Sequence, residues 1–221
     1  MATSGAERDE SGIDGWRKVA AAIDSMRRLS MPMLLTVVSS QMPPLWIDLS
    51  TGRYHWEPPL SALPESPGEV TVYSQPIEAG NPPYPWVAWQ PMDPLLWEIG
   101  RRAFRDHRAE WMRTGDRYAL QRWPNLTEIA HTPEEIRMIA TLANGFLTAQ
   151  ELGLLAGADE ATARRVLDRL SLMGAIKTAS GPVAPPTVVG GEDTAVPGAK
   201  DRAQGAGLFA RLRDRFDGRQ S

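Results

Sequence analysis

The spacing of apolar positions changes period several times along the chain. Between residues 12 and 29, Ile13, Trp16, Val19, Ala20, Ile23 and Met26 recur every three or four residues, which predicts an amphipathic helix. Gly12 and Gly15 weaken its start. This helix is expected to pack on the following domain, with docking of a partner as the sharper alternative. From Met31 the period shortens. "PMLLTVVSS" and "LWIDL" are apolar and β-branched, "STG" has turn chemistry, and "RYHW" resumes as a strand, so 45–56 predicts a hairpin. "GEVTVYSQ" adds a strand near 69–74, which completes a small antiparallel sheet. Alternation in "LWIDL" puts Leu45, Ile47 and Leu49 on one face and Trp46 with Asp48 on the other. Trp46 therefore either lies beneath other chain or stands exposed as an interaction hot spot, and core filling is the favoured expectation.

Two proline-dense stretches, "EPPLSALPESP" and "IEAGNPPYPWVAWQP", cannot enter regular ladders or helices and predict stiff extended connections, the second as a lid over the sheet. Asp93 and Pro94 then open a helix. Leu95, Leu96, Ile99, Ala103 and Trp111 mark its buried side. Arg101, Arg102, Arg105 and Arg108 fall on the other and form the best candidate for an electrostatic face.

Residues 132–178 carry the clearest organisation. "TPEE" at 132–135 and "TAQE" at 148–151 are capping boxes, and Asp159 is a third N-cap. The three helices they start carry Ile136, Ile139, Ala140 and Ala143, then Leu152, Leu155 and Ala156, then Ala163, Val166, Leu167, Leu170 and Met173. "NG", Gly157 and Gly174 stop them. "AIKTA" follows as a strand. Three short helices, a tight second-to-third turn and a glycine-led strand resemble the winged-helix family, over about a fifth of the chain. That resemblance implies DNA binding through the third helix, or a protein-facing or architectural role. If it reads DNA, Thr162, Arg164, Arg165, Arg169 and Lys177 are the candidate contacts, and the same residues are candidates for a protein partner. Asp159, Glu160 and Asp168 oppose phosphate there, and "ASGPVAPP" after Thr178 lacks the basic residues of a wing.

Composition narrows the function further. The chain has 221 residues, a net charge of −3, no cysteine, and 19 each of Gly and Pro. Nothing pulls it in bulk toward nucleic acid, and no thiol chemistry is available. The polar start "MATSGAERDESGIDG" does not read as a secretory signal, and a cytoplasmic location is expected. The three histidines, His55, His107 and His131, sit in different elements, and no metal or nucleotide motif appears. Asp48 facing His55 across the hairpin is the one pair worth noting, as a strand-surface contact. No enzymatic activity, metal or cofactor is expected.

The expected organisation is a disordered leader (1–11), an α+β domain (12–123), a winged-helix-like unit (124–178), a disordered linker (179–206) and an amphipathic tail helix (207–218). Leu208, Phe209, Leu212 and Phe216 line one side of that tail, as a docking motif for a partner. Adsorption to a membrane surface is the runner-up, which Asp214 and Asp217 disfavour. The expected function is a protein–protein interaction module or adaptor in a bacterial-type regulatory or assembly complex. The alternative is a dimeric DNA-binding transcription regulator.

Overall fold

The computed structural model describes residues 15–29, 31–78, 84–125 and 127–180. Over these the chain is α+β. Helix α1 (Gly15–Arg28) precedes strands β1 (Met33–Ser39), β2 (Met42–Asp48) and β3 (Arg53–His55). A 3-10 turn at Leu60–Ala62, β4 (Val70–Pro76), β5 (Gln90–Pro91) and α2 (Met92–Ala103) follow. The chain continues through β6 (Arg117–Leu120), α3 (Pro133–Leu142), α4 (Ala149–Ala156), α5 (Glu160–Leu172) and β7 (Ile176–Ala179).

The first five strands form an antiparallel sheet in the order β4-β1-β2-β3-β5. The 45–56 hairpin is present as β2 and β3, with Gly52 in the left-handed region (φ 66°). Asp48 is buried because its carboxylate organises that turn. It accepts from Ser50 N at 2.9 Å and from Thr51 Oγ1 at 2.7 Å. The register sets Asp48 against Arg53 and His55 against Trp46, so the expected Asp48–His55 pair is not formed.

Leu35, Val37, Leu45, Ile47, Tyr54 and Trp56 make the inner face and pack with α1 and α2. Large indoles join this core to the loops around it. Trp16 Nε1 donates to Pro64 O at 2.9 Å, Trp97 Nε1 to Ala130 O at 3.1 Å and Trp111 Nε1 to Ser171 Oγ at 3.0 Å. Each ring buries apolar area while its one polar atom finds an acceptor.

Helices α3, α4 and α5 begin at the three predicted caps. Both capping boxes are closed, and Asp159 caps α5. Gly157 ends α4 in the left-handed conformation (φ 72°). Strand β7 pairs with β6, Leu120 opposite Ile176 and Arg117 opposite Ala179. Leu147, between α3 and α4, exchanges backbone hydrogen bonds with Tyr118 on the other side of β6. The strand beside β7 therefore arrives from upstream of the three helices and from inside the predicted 12–123 domain. One core cluster also runs from the sheet through α2 into α5, and the described residues fall in one compact unit. The expected division at 123/124 is crossed by both the small sheet and the core.

Some local expectations are corrected. Helix α2 ends at Ala103, so Trp111 packs edge-on against Phe104 (centroids 5.8 Å apart) from outside the helix. Ile136, Ala140, Ala143 and Leu155, placed on apolar stripes by their spacing, are exposed, and Met138 joins Ile139 in the core of α3 instead.

Candidate functional site

Register assembles a feature on the outer face of the five-stranded sheet. Thr36 on β1 lies opposite Tyr73 on β4 and also opposite Trp46 on β2, which in turn faces His55 on β3. Tyr73, Thr36, Trp46 and His55 thus form one row across four strands. Trp46 stacks on His55 (5.2 Å, 19° between planes) and meets Tyr84 at 5.0 Å, while Tyr84 meets Trp86 edge-on at 5.6 Å. The segment carrying Tyr84 is pinned over the sheet. His55 Nδ1 lies 3.0 Å from Ala88 O, and Trp89 Nε1 donates to Tyr84 O at 3.1 Å.

Trp46 is accordingly half-buried under its neighbours, and the exposed aromatics of this row and its cover are Trp86 (77 % exposed) and Tyr73 (61 %). Val38, two residues along β1 from Thr36, is exposed on the same face. Since neighbouring strands lie about 4.8 Å apart, the Tyr73 and Trp46 ridges flank a trough about 10 Å across, floored by Thr36 and Val38. Sequence reasoning stopped at Trp46. Alternation in "VTVYSQ" was the signal for Tyr73, whereas Trp86 sits in an irregular segment whose exposure no periodicity encodes.

The arginine series behaves differently from a free cationic face. Arg102 is buried and donates to Leu63 O (3.0 Å), Pro64 O (3.1 Å) and Glu98 O (3.0 Å), and it is ion-paired with the Glu98 carboxylate. Arg101 pairs with Glu65 at 2.6 Å and with Glu98 at 3.1 Å, and Arg105 also pairs with Glu65. The hydrogen bond from Arg101 holds the Glu65 carboxyl below its ordinary pKa. Arg108 pairs with Asp168 at 3.0 Å. Arg105 and Arg108 lie beyond the end of α2, so the four residues do not share one helical face. They are braces between segments, and Arg102 is a correction to its expected exposure.

On α5 the candidate contacts separate. Arg169 points inward. It pairs with Glu135 at 2.5 Å, lies 5.0 Å above the Trp97 ring, and its side chain is only 12 % exposed. Arg164 pairs with Glu160, and Arg165 donates to Thr162 Oγ1 at 2.8 Å. Lys177 is exposed on β7, with Nζ 5.3 Å from the Phe146 ring centre. Burial pushes the Asp168 carboxyl up to about 6, against the pull of Arg108 and the Ala109 N–H.

A pocket of about 180 Å³ opens beside this pair, lined by Arg108, Arg113, Tyr118, Gln150, Glu160 and Arg164 among others. Its charges largely oppose one another. Among the described residues, no group of three His, Asp or Glu side chains is arranged to hold a metal ion, and no helix is long and apolar enough to cross a membrane. The tail residues Leu208, Phe209, Leu212 and Phe216 lie outside the described residues. No protein-family model matches this chain, and no curated protein or solved structure matches it.

Proposed function

We propose that the protein is a non-enzymatic interaction module, an adaptor in a bacterial-type regulatory or assembly complex. The outer face of the five-stranded sheet is its docking surface for another protein. The observation that carries this reading is the cross-strand row Tyr73–Thr36–Trp46–His55, extended by Tyr84 to an exposed Trp86. Tyr73, exposed on a strand, and Trp86, exposed on the irregular segment pinned over the sheet, are residue types that supply large contact area and are enriched in interface hot spots. The partner fits as an extended, largely apolar segment laid in the trough over Thr36 and Val38. A cytoplasmic setting goes with this reading.

The test is a pull-down from cells that make the protein, comparing the parent with Tyr73→Ala, Trp86→Ala and the double variant. A specific partner is expected to be lost in the double variant while circular dichroism and the thermal midpoint stay unchanged. Full retention of the same partners by that variant would overturn the reading.

DNA binding by the winged-helix-like unit is the alternative. It retains an exposed Lys177 and a half-buried Arg165 that donates to Thr162 Oγ1, while Arg169 is engaged internally and Arg164 is paired with Glu160. Phosphate contacts dominate such affinity, so this surface supports it less well. A salt series with mixed duplex DNA separates the two readings. Tight binding whose salt slope falls in Arg165→Ala/Lys177→Ala would favour DNA, and no binding at low salt would remove it.

A further inference from the structure

The trough in the outer face of the sheet is open toward one end. On β1, Val38 is exposed there, whereas Leu34, at the other end of the same face, is fully buried. Thr71 of β4, also exposed, lies opposite Val38. On the other side, the register shift between Val37 and Ser39 sets the exposed Pro43 and Pro44 of β2 beside it. Charge keeps to the margins. Arg53 lies on β3, Glu69 precedes β4 and Glu78 follows it. The Asp48 carboxylate, on the same face, is spent on the turn at Ser50 and Thr51.

The polar groups along the trough select the backbone that fits it. Strands β1 and β2 are each paired on both sides, so they offer an incoming chain no ladder partners. A β-strand laid here would turn its N–H groups toward the Tyr73 and Trp46 ridges, which present rings in place of carbonyls. The free groups are donors. Among the described residues, the indole N–H of Trp46 and of Trp86 and the Tyr73 hydroxyl have no hydrogen-bond partner. Proline has no N–H to desolvate, and its carbonyl accepts from such donors. A proline-rich segment is extended before it docks, so it loses little conformational freedom on an aromatic-lined groove. The chain's own cover of the row is of this kind, for Tyr84 on Trp46 is followed by Pro85 and Trp86.

We infer that the occupant of the trough is a proline-rich segment of the partner, in the polyproline II conformation, seated over Thr36 and Val38 against the Tyr73 ring. This rests on the docking surface proposed above and names the chemistry that the surface selects. Aromatic rows on sheets also stack nucleic-acid bases, but such sites track the phosphates with cations. On the outer face of these strands Arg53 is the one lysine or arginine among the described residues.

Isothermal titration of the full chain with acetylated and amidated decaproline tests this, beside a Thr-Val repeat and an oligothymidylate of matched length. Saturable binding of decaproline is expected. Tyr73→Ala should weaken it at least about tenfold. Val38→Lys should do the same, since it leaves the aromatic row in place and puts a charge on the trough floor. Circular dichroism matching the parent shows that both variants fold. Absence of decaproline binding overturns the inference, and so does binding that either variant leaves unchanged. Tighter binding of the Thr-Val repeat or of oligothymidylate overturns it as well. The docking surface itself is judged by the pull-down. A partner lost by the Tyr73 and Trp86 double variant, in a protein that ignores decaproline, rejects the proline-rich class and leaves the docking surface standing.

Discussion

Arg102 illustrates what a guanidinium does once α2 carries it inside. Its planar fork reaches two loop carbonyls and a helix carbonyl together, and Glu98 balances its charge. Arg102→Ala leaves those acceptors and the carboxylate unmatched and is expected to cost roughly 3 kcal/mol in chemical denaturation. Arg102→Lys should recover less than half, because one ammonium cannot span the same acceptors. Asp168 gives the second prediction at this scale. Its carboxyl titrates near 6 when folded, because it is buried, and near 3.9 when unfolded. Between those values the folded chain binds the extra proton, so this residue makes stability fall as pH rises from about 4 to about 6. The parent-minus-variant difference in urea midpoint for Asp168→Asn should carry that slope, and a flat difference would reject the assignment.

Among the elements, Gly15 reverses a sequence-level expectation. On helix propensity alone, alanine there would gain about 1 kcal/mol. In the structure a Cβ at Gly15 would stand 2.5 Å from Gly68 O and 2.7 Å from a methyl carbon of Val70. The glycine lets α1 lie against the start of β4. Gly15→Ala should therefore lower the thermal midpoint, and a raised midpoint would show that this approach is not tight. The caps behave as their spacing implied. Thr148 accepts from Glu151 N at 3.2 Å, and the Glu151 carboxylate accepts from Thr148 N at 2.8 Å and also pairs with Arg117 of β6 at 2.6 Å. Thr148→Ala should cost about 1 kcal/mol of stability by denaturant titration. Leu154 and Leu155 on α4 are 81 % and 64 % exposed, so changing either to Gln should leave that stability nearly unchanged.

At the scale of the whole molecule, the two predicted domains behave as one. Arg169 of α5 lies over Trp97 of α2, Arg27 of α1 donates to Leu172 O, and Arg122 joins Asp93 of α2 to Met173 O at the end of α5. Burial would raise the Asp93 carboxyl, yet the hydrogen bonds from Arg122 and Asn125 N hold it below its ordinary value. A shared core with such ties predicts one cooperative unfolding transition. Leu45→Ala in the sheet and Leu167→Ala in α5 should each shift a single transition seen equally by tryptophan fluorescence and far-ultraviolet circular dichroism. Separate transitions for the two halves would contradict this.

What the sequence determined by itself is local. Helix starts at Thr132, Thr148 and Asp159, the 45–56 hairpin and the period of β1 are set by side chains within a few residues of each other, where a cap or a turn has the same energy wherever the segment lies. Proline density likewise marked the irregular cover over the sheet, and alternation reached Trp46. The rest depended on partners far along the chain. Whether Arg102 and Arg169 faced water or a ring, whether Leu155 was covered, and which strand met β7 were decided by packing across more than thirty residues, which periodicity does not encode. The same holds for the candidate surface. Tyr73, Thr36, Trp46 and His55 are scattered in the sequence and become one row only because strand register sets them opposite one another.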